Sequence, residues 1–175
     1  GTALGQITSG GDKLIIIGAI TPDGANLTSK NFAFTIEGLD ASSSIDGNGG
    51  TGRLFTINGA TSADVTFKNL TFSGHDTTLA GGSVLFNNVA GATVTFDNCT
   101  LTDNSVNNGA GGGAIFFANG NLNITNSSFE NNTSIEEAGA IFGQSGIITI
   151  TNSLFKSNSA ATKGGALYAN SANFT

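Results

Sequence analysis

Hydrophobic and polar positions alternate along this chain in short bursts. Val65-Thr66-Phe67, Val94-Thr95-Phe96, Leu122-Asn123-Ile124 and Ile148-Thr149-Ile150 each run apolar, polar, apolar, and two residues later an Asn follows every time, at Asn69, Asn98, Asn126 and Asn152. A second segment comes at once, at 72–75, 101–104, 129–132 and 155–158; the last two read Phe-x-x-Asn, and the copy at 101–104 differs by Leu101 for Phe. A third is built on small residues: Gly81-Gly82-Ser83-Val84, Gly112-Gly113-Ala114-Ile115, Ala138-Gly139-Ala140-Ile141 and Gly164-Gly165-Ala166-Leu167. Aligned in this way, the aliphatic member falls at 84, 115, 141 and 167, at spacings of 31, 26 and 26 residues. Every segment has period two and none is long enough for a helix.

Three short strands per 26–31 residues, separated by Asn and Gly corners, describe one coil of a solenoid. The predicted fold class is all-β: a right-handed parallel β-helix (β-solenoid) of about six coils, with the hand expected from the general preference of parallel crossovers. At a strand spacing of about 4.8 Å, that many coils make a rod roughly 30 Å long. A β-propeller blade needs four strands and about 40–50 residues, more than this repeat holds. Residues 1–50 keep the phase less well, although Phe32-Ala33-Phe34-Thr35-Ile36 alternates. They are expected to form irregular coils that cap the core, with regular coils over 51–175 continuing beyond the last residue in a longer protein.

Stacking turns each repeated position into a column. Asn tolerates left-handed backbone and bonds its neighbour above, so Asn69, Asn98, Asn126 and Asn152 are expected to form a structural ladder at one corner. The Gly pairs are expected where a Cβ would clash. Cys99 aligns with Leu70, Ser127 and Ser153 and reads as a small buried thiol. In the Gly-rich strand both faces are apolar. The expected inner column is Val84, Ile115, Ile141 and Leu167, which leaves Leu85, Phe116, Phe142 and Tyr168 as a partly outward stripe and a candidate contact face.

Composition narrows the function classes. Gly, Asn, Ser and Thr number 26, 21, 17 and 22 of 175 residues, a bias that now has addresses in corners and strand exteriors. Hydrophobic residues make up 38%, too many for a disordered chain. A net charge of −6 with only six Lys and Arg, scattered along the chain, argues against nucleic acid and against an anionic membrane surface. The longest apolar run, at 14–20 with one Gly, is too short to span a bilayer and lacks the basic start of a signal peptide.

The alternation of Gly112-Gly113-Ala114-Ile115 and Gly164-Gly165-Ala166-Leu167 with Phe129-Glu130-Asn131-Asn132 and Phe155-Lys156-Ser157-Asn158 resembles the paired GGA(I/L/V) and FxxN tetrapeptides of the chlamydial polymorphic membrane proteins. The match covers 112–175, with degenerate copies back to about residue 65 and no motif in 1–50. Departures are Ala138 for the first Gly, Ser83-Val84 for Ala-Ile, Leu101 for Phe and His75 for the closing Asn. The resemblance implies a surface autotransporter: a signal peptide, a right-handed β-helical passenger outside the cell, and a C-terminal outer-membrane barrel absent from this chain. It also implies adhesion to host cells through a surface receptor, protein or glycan, and possible homo-oligomers. The motif residues Gly112, Gly113, Ala114, Ile115, Phe129, Asn132, Phe155, Asn158, Gly164, Gly165, Ala166 and Leu167 are then adhesion candidates, against a reading in which they only build the coil.

Loops offer a second set of contact candidates. Segments 73–80 and 105–111 are longer than the shortest version at 159–163, and they contain His75, Asp76, Asn107 and Asn108. The competing class is a secreted β-helix enzyme that cleaves polysaccharide, whose site would need carboxylates converging on one face. The acids here are scattered. His75-Asp76 is read as a solvated loop pair rather than part of a hydrolase site, and Asp46-Gly47-Asn48-Gly49 as a turn rather than a calcium loop. Ice binding would need an unbroken Thr-x-Thr array, which Thr93-x-Thr95 and Thr149-x-Thr151 do not supply. No cofactor, metal or catalytic residue is called for, and the expectation is a non-enzymatic adhesin at the bacterial outer membrane or cell surface, or secreted after processing.

Overall fold

The structure is a computed structural model that describes residues 8–21, 32–49, 51–58 and 64–175. The expected irregular coils of 1–50 fall in part on residues 1–7, 22–31 and 50, outside the described residues. Among the described residues all regular structure is β, and the strands pair in parallel in three sheets of ten, six and four strands. The chain is a right-handed parallel β-helix of about five turns, against the six expected. The difference is one of fence posts: the six-stranded sheet has six rungs, and six rungs bound five turns between them.

Register explains why the triplets alternate. In the first sheet Phe34, Val65, Val94, Leu122 and Ile148 lie one above another, as do Ile36, Phe67, Phe96, Ile124 and Ile150, and both columns enter the core. The second sheet contributes Ile45, Phe72, Leu101, Phe129 and Phe155. Like rings in successive rungs must stack at about the strand spacing. Phe67 and Phe96 do so at 4.9 Å between centroids, and Phe129 and Phe155 at 4.8 Å. Between the inward columns stands an outward one without charge, Thr35, Thr66, Thr95, Asn123 and Thr149. Where charges do share a column they alternate in sign: Glu37, Lys68 and Asp97 follow one another, with Lys68 Nζ 3.5 Å from Asp97 and Lys13 Nζ 2.7 Å from Glu37. Like charges at this spacing would repel.

Three features differ from the sequence expectation. The residues after the closing Asn form a sheet of their own, through Asp76–Thr77, Ser105–Val106, Thr133–Ser134 and Ser159–Ala160, so a coil has a segment more than the three expected. In two coils the Gly-rich segment runs into the triplet as one strand, Leu85–Asp97 and Ile115–Thr125, with a register shift at Phe117/Asn119/Asn121 beside Gly120, whose φ is 91°. The alignment of the first Gly-rich copy also moves by one residue, because Ile115 pairs with Leu85 and not with Val84. The copy is therefore Gly82-Ser83-Val84-Leu85, and a further one, Gly52-Arg53-Leu54-Phe55, lies one coil earlier, with Phe55 opposite Leu85.

Candidate functional site

The Gly-rich segment is dictated by close backbone approach. A Cβ on Gly112 would collide with the carbonyl of Ile115, and one on Gly113 with the carbonyls of Gly139 and Thr133. Ser83 holds the Gly113 position one coil earlier and hydrogen-bonds its hydroxyl to the Gly113 carbonyl. Ala114 and Ile115 are fully buried, as are Ala140 and Ile141. In the last coil Gly164 and Gly165 are exposed and Ala166 and Leu167 half-buried. Ala138, which departs from Gly, is buried with a left-handed φ of 54°.

The aliphatic residues do lie inside, in the corrected column Leu85, Ile115, Ile141 and Leu167. The outer column is Phe86, Phe116, Phe142 and Tyr168, with Phe86 in place of the expected Leu85. Its rings form a ladder at 5.3, 5.0 and 5.3 Å between centroids. The stripe is not an open face: Phe116 is 9% exposed and Phe142 5%, in a satellite cluster with Ala118 and Ala138. Only the end rings are half-buried, and each carries a cation, with Arg53 Cζ 4.8 Å from the Phe86 centroid and Lys163 Nζ 5.0 Å from that of Tyr168.

Both Asn columns are present, with different roles. Asn69, Asn98, Asn126 and Asn152 have φ of 53°, 53°, 52° and 49°, the left-handed corner expected of them. Among the described residues, however, the side-chain ladder is limited to Asn98 Nδ2 donating to Asn69 Oδ1 at 2.9 Å and Asn69 Nδ2 to Glu37 at 3.3 Å. The continuous ladder is made by the closing residues of the Phe-x-x-Asn segment. Asn104 Nδ2 donates to Asn132 Oδ1 and Asn132 Nδ2 to Asn158 Oδ1, both at 2.9 Å. Each amide also donates to a backbone carbonyl of the coil before: Asn104 to Phe72, Asn132 to Leu101 and Asn158 to Phe129. Asn104, Asn132 and Phe129 are fully buried, and Phe155 and Asn158 half-buried. The residues just before this column, Gly74, Asp103, Asn131 and Ser157, form a second left-handed corner. Their varied identities hide it in the sequence.

His75 occupies the rung below Asn104. The expectation of a solvated loop histidine is corrected here: His75 is 3% exposed, accepts the place of the ladder Asn, and donates from Nε2 to the Ile45 carbonyl at 3.1 Å. A carbonyl only accepts, so Nε2 carries the proton. Burial lowers the imidazole pKa, opposed by the Ile45 bond and the Asp46 charge. Asp76 points the other way and accepts from Ser105 Oγ at 2.8 Å and Asn107 Nδ2 at 2.6 Å. Successive residues of a strand face opposite sides, so the two cannot act as a catalytic pair. Asp46 accepts from Asn48 N at 2.9 Å in a turn with left-handed Asn48 and Gly49. Cys99 is buried, which pushes its thiol up to about 12.

The variable side chains gather on one edge. After the inward column Thr77, Val106, Ser134 and Ala160 come the exposed positions Thr78, Asn107, Ile135 and Ala161, then Leu79, Asn108, Glu136 and Thr162. Leu79 is 54% exposed and Ile135 48%. Asn108 Nδ2 donates to the Thr78 carbonyl at 2.8 Å, so this loop rests on the one before. Among the described residues no cluster of three or more His, Cys, Asp or Glu side chains is placed to hold a metal ion. Compared with protein-family models, curated proteins and solved structures, the chain matches none.

Proposed function

We propose that this chain is a surface-exposed passenger segment of a bacterial autotransporter that acts as a non-enzymatic adhesin, binding a host-cell surface receptor through its loop edge. The observation that carries the reading is the division of labour between columns. Inward positions of the first two sheets and the Asn corner repeat in type from coil to coil, whereas the exposed positions Thr78, Asn107, Ile135 and Ala161 hold a different residue in each coil. A surface free of packing constraints is where binding specificity can vary without loss of the scaffold. The resemblance of the alternating Gly-Gly-Ala-Ile and Phe-x-x-Asn segments to the chlamydial polymorphic membrane proteins supports the bacterial surface as its location. In this reading Gly112, Gly113, Phe129 and Asn132 serve adhesion only by holding the coils, since their side chains or backbones are buried. Asn107 and Asn108 are the contact candidates that solvent reaches, while His75 is not one.

The test is binding of the folded chain to host-type cells, with Leu79→Ser, Asn107→Ala, Asn108→Ala and Ile135→Ser combined. Binding lost with an unchanged unfolding temperature supports the edge as the contact surface. Binding retained in the combined variant, or turnover of a polysaccharide by the chain, refutes the proposal.

A further inference from the structure

The corner between the first and second sheets is two residues long in most coils, an Asn followed by Leu70, Cys99, Ser127 or Ser153. Between Phe34–Gly38 and Ser44–Asp46 it takes five residues, 39–43. The longer corner stands out from the stack and overhangs the regular corners of the next two coils. Beneath it lies a cleft of about 460 Å³, walled by Leu39 and Asp40 and floored by Asn69, Thr71, Asn98 and Thr100. That volume falls within the range of small-molecule sites, about 300–1,000 Å³.

The polar groups of the cleft are oriented and incompletely used. Asn98 donates to Asn69 and Asn69 to Glu37, which in turn is paired with Lys13 at 2.7 Å, so the amide chain runs in one direction and ends on Asn98 Oδ1. Among the described residues no donor reaches that oxygen. The Asp40 carboxylate accepts from Ser42 N at 2.9 Å, from Ser42 Oγ at 2.6 Å and from Ser43 Oγ at 3.5 Å, all on Oδ1, and no donor among the described residues reaches Oδ2. These bonds, the Ser42 hydroxyl first, hold its carboxyl below the usual range, so it is ionised at neutral pH. Thr71 and Thr100 add hydroxyls, and Leu39, 61% exposed, gives an apolar lip. Oriented acceptors, one carboxylate, hydroxyls and a small apolar surface suit a ligand that offers many O–H donors and an apolar ring face without negative charge.

We infer that the cleft under residues 39–43 binds a neutral saccharide, with Asp40 and Asn98 accepting from its hydroxyls and Leu39 covering a face of the ring. A sulfated or uronic-acid sugar would meet the Asp40 carboxylate and be repelled. The inference does not rest on the loop-edge proposal, because the cleft lies at a different corner, and loop-edge variants leave it unchanged.

The experiment is titration of the ¹⁵N-labelled chain with maltotriose and with N,N′-diacetylchitobiose, with a sulfated heparin disaccharide as the anionic comparison. A neutral saccharide is expected to shift the side-chain amides of Asn69 and Asn98 and the backbone amides of 39–41. Asp40→Asn keeps the acceptor for Ser42, and Asn98→Gly keeps the left-handed corner, so both variants fold; each is expected to weaken binding by about tenfold or more, a loss of one charged or oriented hydrogen bond. No shift with either neutral saccharide, shifts confined to other residues, unchanged affinity in both variants, or tighter binding of the sulfated sugar each overturns the inference.

Discussion

Removal of the Asn132 side chain separates a structural role of the Phe-x-x-Asn segment from a receptor-contacting one. Asn132 is fully buried. Its Nδ2 donates to the Leu101 carbonyl and to Asn158 Oδ1, both at 2.9 Å, and its Oδ1 accepts from Asn104 N at 3.2 Å and Asn104 Nδ2 at 2.9 Å. In Asn132→Ala the Asn158 oxygen keeps a donor in the Asn132 backbone N–H at 3.0 Å, but the Asn104 N–H and one Asn104 Nδ2 hydrogen lose their acceptor inside the coil. Each buried orphan costs about 1–3 kcal/mol, so the variant should lose about 2–6 kcal/mol. The comparison is Asn126→Gly, at an exposed corner whose side chain makes no hydrogen bond among the described residues and whose left-handed φ suits Gly; its cost should stay under about 0.5 kcal/mol. Urea unfolding followed by far-ultraviolet circular dichroism measures both. Hydrogen exchange should place the loss in the coils on either side of residue 132, since a solenoid rung touches only its neighbours. A loss under about 1 kcal/mol for Asn132→Ala, or an equal loss for Asn126→Gly, would refute the assignment of the ladder to Asn104, Asn132 and Asn158.

Other consequences follow from the same columns. The lowered pKa of buried His75 means that the unfolded chain takes up its proton first, so stability is full above the ordinary value of 6.5 and falls as pH drops below it. A thermal melt series between about pH 7.5 and 5 should show the midpoint dropping by a few degrees. His75→Asn, which restores the ladder residue, should flatten that slope, and a slope unchanged by the substitution would rule His75 out as its source. Cys99, with its thiol near 12, should resist alkylation in the folded chain at neutral pH and react only on unfolding, as mass spectrometry after iodoacetamide would show. Gly113→Ala, whose new methyl meets backbone on two sides, should cost about 3 kcal/mol or more in the same urea assay, whereas Asn108→Ala at the loop edge should stay within about 0.5 kcal/mol.

The amino-acid sequence alone determined the solenoid, its repeat length and the left-handed Asn corners. These are properties of one coil repeated, and period-two alternation with Asn and Gly corners states them locally. What lies between coils was decided by the tertiary structure, because vertical neighbours are about 26–31 residues apart and meet only when the coil closes. Val84 and Leu85 are both apolar, so composition could not choose between them; the pairing of Leu85 with Ile115 did. Both Asn columns looked alike in the sequence, and burial made the one at 104, 132 and 158 the ladder, since amides shielded from water must bond one another and the backbone. His75 read as a loop residue until closure placed it on a ladder rung. The aromatic stripe read as partly outward until its two middle rings proved to be covered. The cleft had no sequence signal at all: a corner of five residues becomes an overhang only against the two-residue corners stacked beside it.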